Sequence, residues 1–569
     1  MFPKLDPDNE LDAALIAHRP DFLRAFSLSL FSNLMMLAPA IYMLQVYDRV
    51  LSSRNVTTLI MLSLLLVVVL AVMGALEKAR ASILQRVGVG LDRKLGTRVF
   101  DALLRRNLRA PEGNAVQSLH DLTNLRQFLG GGGLVVLFDA PWAPIYIVVI
   151  ALIHPLLGVF ALLAALLIFS LALINERMTR QPLDEAQKNS MRAAAVASGQ
   201  FRNAEAAEAM GMVAGLRARW SMLQNKVLAL QALASERAGV IGGGTRFVRL
   251  TSQSLILGLG AWLAIDDIIT PGGMIAGSIL LGRALAPVEQ AIGQWKGWLS
   301  ARGAHERLHT LMADYPTPPA AMPLPPPSGL VTVENVTAAP PGGETPVLKD
   351  LAFRINAGDA VGVIGPSASG KSSLARLLVG LWTPSAGHVR LDAADVSAWD
   401  KAELGPYLGY LPQDVELFEG TAAQNIARFG EIDGEKVVAA ARRAGVHEMI
   451  LRLPNGYETP LGPGAASLSA GQRQRIALAR ALYGEPRLVV LDEPNASLDD
   501  AGQAALAAAL KELKQRGATV VIMTHRRSAL ASVDKLLALR EGALAAYGPR
   551  DAVLEALNAG GPSRADGKG

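Results

Sequence analysis

Apolar and polar positions are spread very unevenly along the chain. In the first half, long uncharged stretches alternate with stretches rich in Lys and Arg. Ala25 to Tyr47 carries no charge for 23 residues and Val56 to Leu76 none for 21, and roughly 20 helical residues cross the hydrocarbon layer of a bilayer. Another 36 uncharged residues separate Asp139 from Glu176, with Pro155 in "IHPLLG" near their middle. That pattern predicts two spanning helices joined by a tight turn. A fifth apolar run covers Leu250 to Ile265, and a sixth, Gly273 to about Ile292, is interrupted by Arg283 and Glu289. Two placements of these charges are open: toward the bundle interior or an aqueous path, or near the end of a shorter span with both side chains reaching for water.

The connecting segments set the orientation. Residues 77–133 hold ten Lys and Arg and 175–245 hold nine, whereas the short links 48–55 and 266–272 hold two and none. Positive charge collects on the cytoplasmic side, so the long loops and both termini are expected there. Apolar residues recur at helical spacing in "LDRKLGTRVFDALLRRNL" and "MVAGLRARWSMLQNKVLALQALA", which predicts that the spanning helices continue into the cytosol. Their reversals are expected around "RAPEGNAV" (109–116) and "NAEAAEAMGM" (203–212).

The pattern changes after "YPTPPAAMPLPPPSG" (315–329), in which seven prolines exclude a helix or a central strand. Short β-rich runs follow ("LVTVENV", "AVGVIG", "LVVLD", "TVVIMTH"), alternating with helical stretches. This is the signature of an α/β domain with a largely parallel sheet. The expected organisation is an N-terminal cytoplasmic segment (1–24), a six-helix membrane domain (25–314), a linker (315–329), a nucleotide-binding domain (330–557) and a disordered tail (558–569).

Composition agrees with a membrane protein: of 569 residues 51% are hydrophobic and only 18% charged. The net charge of +5 is small for this length and does not argue for a nucleic-acid partner. With no cysteine, disulfides, thiolate metal sites and cysteine nucleophiles are excluded. The first residues are acidic and lack a short apolar core, so no cleavable signal peptide is expected.

The chemistry lies in the second half. Gly365, Gly370, Lys371 and Ser372 have the spacing GxxxxGK[ST] in "GPSASGKSS", directly after an apolar strand. Glycines turn the N–H groups of residues 365–373 (Gly365, Pro366, Ser367, Ala368, Ser369, Gly370, Lys371, Ser372, Ser373; Pro366 itself has none) toward phosphate, and the following helix N-terminus adds positive potential. Lys371 is expected on the β and γ phosphates and Ser372 on magnesium. In "RLVVLDEP" a strand ends in two acids; Asp492 suits a magnesium contact and Glu493 the activation of the attacking water. An acid pair at a strand end can also be a helix cap or a surface charge, but beside a phosphate loop the nucleotide role is favoured.

These residues resemble the ATPase of ABC transporters. "LSAGQ", Leu468 to Gln472, is similar to that family's signature motif, with Ala470 at a small-residue position. The resemblance implies that Ser469, Gly471 and Gln472 meet the γ-phosphate of ATP held by a second copy. It also implies that Gln413 in "YLPQDVELFEGT" contacts magnesium and relays motion, that Asp499 in "ASLDD" lies at the interface, and that His525 in "VIMTHR" senses the γ-phosphate. The family's aromatic for stacking adenine has no counterpart in "VENVTAAPPGGETPVLKD", which leaves Ala339 or Pro340 against the base.

The membrane half, through "MLQVYDRVL" (43–51), "LFDAPWAPIYI" (137–147) and "GGMIAGSILLGRALAPVEQ" (272–290), is similar to type I secretion exporters of proteases, lipases and S-layer proteins. This resemblance implies a homodimer that uses ATP and Mg2+ to export unfolded polypeptides bearing C-terminal secretion signals. It further implies a periplasmic membrane-fusion adaptor and an outer-membrane tunnel protein as partners. A lipid- or drug-exporting half-transporter is the rival within transport; a nucleotide-regulated membrane scaffold or sensor is the rival outside it, disfavoured by Glu493 and His525.

Overall fold

The computed structural model describes residues 6–109, 115–318, 322–462, 468–496 and 498–558. The chain divides into two units between Thr317 and Pro318. The reversal expected at 109–116 falls mostly outside the described residues, and so does the tail beyond Asn558.

Six helical segments of the first unit are long and apolar enough to cross a membrane: Arg19–Ser53, Val56–Arg109, Gly132–Ile153, Pro155–Arg202, Val213–Ile265 and Pro271–Asp314. The second is one continuous helix of 54 residues. Its buried positions begin only at Arg80 and continue through Leu84, Val87, Leu91, Leu95 and Val99, a helical stripe that lies wholly beyond the apolar run. The stripe packs with Leu125, Leu129, Leu308 and Leu311 into one core. A separate core, with Trp142, Tyr146, Ile150, Leu157, Ile256 and Leu281, lies among the third to sixth spans.

Three features depart from the sequence reading. The third span starts at Gly132, ahead of Asp139, and breaks at Ala140–Pro141 before resuming at Trp142–Ile153. Asp139 does not end the span because its charge is matched: Arg80 Nη1 donates to Oδ1 at 3.1 Å and Asn33 Nδ2 at 2.7 Å. The first span is segmented, with Arg19–Met35 and Ala38–Gln45 followed by a π-helical turn, Val46–Val50. Just past its end of charge-free sequence, Asp48 accepts from the Gly272 N–H at 2.8 Å and from the hydroxyl of Thr270, the N-cap of the sixth-span helix, at 2.6 Å. Finally, the N-terminal segment contains a helix, Glu10–Ala17, pinned to the end of the sixth-span helix by a fully buried contact of 2.7 Å between Asp12 Oδ1 and His305 Nε2. The reversal near 203–212 is a short helix, Ala204–Ala209.

The second unit is built on two main sheets. Strands β1 (Val331–Ala338), β2 (Leu348–Ile355), β4 (Ala386–Leu391) and β5 (Ala394–Asp395) form an antiparallel sheet in the order β2-β1-β4-β5, alongside β3 (Ala360–Ile364), β6 (Leu408–Leu411), the small pair β7 (Gly420–Thr421) and β8 (Pro460–Leu461), β9 (Leu488–Asp492), β10 (Thr519–Met523), β11 (Lys535–Arg540) and β12 (Ala543–Pro549). The six-stranded sheet runs β12-β11-β3-β10-β9-β6 and is parallel except at β12. Its central strands are apolar on both faces. Val489, Leu491, Val520 and Ile522 pack against one helical layer, and Val361, Val363, Val490 and Val521 belong to the core shared with the antiparallel sheet. That double burial is why "LVVLD" and "TVVIM" read as continuous apolar runs.

Candidate nucleotide site

The site lies where β3, β10, β9 and β6 end, four adjacent strands whose C-terminal edges form the crevice used by open parallel sheets. After β3 the chain closes the phosphate loop and opens the helix Lys371–Leu378. A Cβ on Gly365 would stand 2.5 Å from the Leu539 carbonyl, and Gly370 holds φ 99° with Leu348 2.5 Å from where its Cβ would be. Both positions therefore require glycine. Lys371 Nζ donates to the carbonyls of Gly365 and Pro366 at 2.9 and 3.0 Å, so the ammonium arches over the loop. Ser367 and Ala368 form the crest of the loop, and Ala368 has φ 64°. Ser369 and Ser373 are buried.

Across the crevice, Ser372 Oγ donates to Gln413 Oε1 at 3.4 Å, joining the phosphate loop to the segment after β6. Asp492 ends β9 and is 2% exposed, with an Oδ1 that has no hydrogen-bond partner. Burial pushes its carboxyl above the ordinary value; Ser372 draws it down, Glu493 raises it further, and Arg376 and Lys371 partly offset that. A buried carboxylate oxygen without a donor, beside a hydroxyl and an amide oxygen, fits a hard cation with oxygen ligands. Among the described residues no cluster of three or more His, Asp or Glu could hold a metal alone.

Glu493 has the left-handed φ of 48°, and its N–H donates to the Met523 carbonyl at 2.9 Å. Its carboxylate lies 3.5 Å from His525 Nδ1, so these two sequence-predicted residues meet although they follow different strands. One contributor was not anticipated. Gln474, 5% exposed, donates from Nε2 to the Glu493 carbonyl at 3.1 Å. It belongs to the same "SLSAGQRQR" stretch, but only its alternation between buried and exposed helix faces sets it apart there.

The helix Ala470–Leu482 carries the remaining predicted residues. Ser469 is its N-cap, accepting from the Gln472 N–H at 3.2 Å, while Gln472 Oε1 accepts from the Ser469 N–H at 2.8 Å. This reciprocal capping box accounts for both side chains locally and leaves Gly471 in the first turn. Asp499 caps the helix Asp500–Gln515 through the Gly502 N–H at 2.8 Å and lies 3.9 Å from Arg475. Within one chain, then, the signature helix touches both the Glu493 backbone and Asp499.

Comparison with known proteins agrees with this architecture. The family model described as ABC transporter matches residues 348–496, and that for the ABC transporter transmembrane region matches 22–286. The type I secretion system ATP-binding protein PrsD of Rhizobium meliloti (strain 1021) is 45% identical over 544 residues, covering 95% of this chain and 94% of that protein. The cyclolysin secretion/processing ATP-binding protein CyaB of Bordetella pertussis is 29% identical over 552 residues, covering 95% and 77%. A bacterial Atm1-family ABC exporter with ATP bound has the same fold, with a TM-score of 0.78 at 22% identity over 96% of this chain and 99% of that one. The chain belongs to the ABC transporter family and, within it, to the ATP-binding proteins of type I secretion systems.

Proposed function

We propose that this protein hydrolyses ATP to drive unfolded polypeptides with C-terminal secretion signals across the bacterial inner membrane. It would do so as a homodimer with a periplasmic membrane-fusion adaptor and an outer-membrane tunnel protein. The observation that carries the hydrolytic step is the meeting of Glu493 and His525 beside the unpartnered Asp492 oxygen, next to a formed phosphate loop, and the polypeptide cargo is supported by the 45% identity to a type I secretion system ATP-binding protein.

In this reading residues 365–373 hold the α and β phosphates on backbone N–H groups, and Lys371 turns from its own loop carbonyls to the γ-phosphate. Ser372, Gln413 and Asp492 hold Mg2+, which when bound neutralises charge on the phosphates. Glu493 takes the proton of the attacking water, and His525 orients that carboxylate and contacts the γ-phosphate. Ser469, Gly471, Gln472 and Asp499 complete the site of the opposite copy. The test is Glu493→Gln: ATP binding should persist while hydrolysis falls about 10²- to 10⁴-fold, the usual contribution of a general base. Wild-type turnover in that variant would remove Glu493 from this role. Stimulation of the wild-type ATPase by lipids but not by secretion-signal polypeptides would instead favour a lipid exporter.

A further inference from the structure

The short helix Ala422–Ile426 follows β7 and ends in a turn where Arg428 and Phe429 hold φ 57° and 58° in succession. Left-handed backbone of this kind is uncommon for residues other than glycine. The Arg428 side chain runs from this turn to β6 and the far end of the signature helix, and all five of its N–H groups find a main-chain carbonyl. Nε donates to Arg480 at 2.9 Å, Nη1 to Gly405 and Leu408 at 2.7 and 3.0 Å, and Nη2 to Ala481 and Tyr483 at 3.1 and 3.2 Å. Among side chains, a guanidinium alone offers five donors in one rigid plane. Burial, with Arg480 close by, pushes its pKa down to about 10, and Tyr483 offsets part of this. The group therefore stays a cation at neutral pH, held by carbonyl dipoles.

The five acceptors belong to two places. Arg480, Ala481 and Tyr483 lie at the C-terminal end of the signature helix, where Tyr483 is already extended and the last carbonyls need partners from elsewhere. A cation there also complements the helix dipole. Gly405 and Leu408 lie at the start of β6, the strand that leads to Gln413. Helix end and strand touch: a Cβ on Gly409 would stand 2.5 Å from the Ala481 carbonyl. The segment after Gln413 is tied to the same place. Asn425, fully buried, accepts from the Phe418 N–H at 3.0 Å and donates to its carbonyl at 2.9 Å, while Arg480 Nη2 donates to the Glu416 carbonyl at 3.2 Å.

We infer that Arg428 is a positioning residue for ATP hydrolysis: it fixes the axis of the signature helix and so places Ser469 and Gly471 on the nucleotide of a second copy. Gln474 holds the first turns of that helix to the end of β9, and Arg428 holds the last turn to β6. One anchor leaves a helix free to pivot; two define its direction. A misplacement of about 1 Å costs a reacting centre about 10²-fold. The inference rests on the reading in which the signature helix serves the opposite copy.

The test measures occlusion of labelled ATP by the full-length protein. Arg428→Gln keeps at most two of the donors. Its homodimer should occlude about tenfold less nucleotide, the scale of losing hydrogen bonds from a charged group, with unchanged ATP affinity because the phosphate loop is untouched. Pairing it with Lys371→Ala separates positioning from general loosening. Both lesions then meet in one site, and one nucleotide per heterodimer should be occluded. Occlusion at neither site would mean that Arg428 supports its own chain's nucleotide, through Gln413 or through folding, and overturns the inference. Wild-type occlusion by the Arg428→Gln homodimer overturns it as well. The heterodimer of Ser469→Arg with Lys371→Ala checks the underlying reading: if that pair occludes at neither site, the helix does not act on the opposite copy, and the inference falls with that reading. Should the Arg428→Gln chain bind no ATP, Arg428→Lys decides. Its ammonium keeps the charge but reaches at most three carbonyls, so a severalfold loss of occlusion at unchanged ATP affinity is expected, and unchanged occlusion or weakened affinity overturns the assignment.

Discussion

Glu493 occupies a backbone region that costs a non-glycine residue roughly 1–3 kcal/mol, so its neighbours must hold it there. Two of them do: the Met523 carbonyl fixes its N–H, and Gln474 donates to its own carbonyl. Gln474→Leu, of similar size but with no donor, should therefore lower turnover about tenfold, the effect of losing roughly 1.4 kcal/mol of positioning, while ATP affinity is unchanged. Steady-state hydrolysis alongside nucleotide binding checks this, and unaltered turnover would show that the strained backbone needs no such support. The contrast with the phosphate loop explains what a sequence can reveal at this scale. Gly365, Gly370 and Lys371 act on one another within a few residues, so their spacing exposes them. Gln474 acts on a residue nineteen positions away that only the packing of a helix against the end of β9 brings near.

Among the elements, those with a strong period were legible and those defined by partners were not. The central strands declared themselves as runs of apolar residues because both of their faces are buried. The helix Glu10–Ala17 did not, since its polar residues Asn9 and Asp12 are buried by pairing with the sixth-span helix. The turn between β4 and β5 is a further case. Asp392 and Ala393 adopt φ 48° and 70°, a hairpin geometry that Asp tolerates, and the Asp392 carboxylate gathers the N–H groups of Ser328, Gly329 and Leu330 at the end of the proline-rich linker. Burial raises its pKa, but these bonds outweigh burial and hold it below the ordinary value. A carboxylate depressed in the folded state contributes fully above roughly pH 4 and loses that contribution as pH falls through its folded value. Asp392→Ala should cost about 2 kcal/mol and speed proteolytic cleavage within 322–330 at neutral pH. It should also abolish the acid-induced increase in cleavage expected of the wild type. Identical cleavage in both proteins at every pH would mean that the linker is held by other contacts.

For the molecule as a whole, the capped signature helix raises the question of which nucleotide it serves. If it completes the site of a second copy, Ser469→Arg homodimers and Lys371→Ala homodimers should each have both composite sites damaged. In a heterodimer of the two, both lesions fall in one site and the other is intact. Nucleotide occlusion should therefore recover to one site per heterodimer, whereas loss at both sites would assign the helix to its own chain's nucleotide. The membrane half allows a mechanical reading of the same molecule. The helix Val56–Arg109 is unbroken over 54 residues and at 1.5 Å per residue extends about 80 Å. Its apolar run occupies one end and its packed stripe the other, so it is a lever with a fulcrum between them. A tilt of about 5° about that fulcrum, which lies roughly 45 Å from the far tip, would sweep the tip by roughly 4 Å, most of one helical turn, and angular changes too small to disturb packing among the spans would arrive in the cytosol as displacements the size of a side chain.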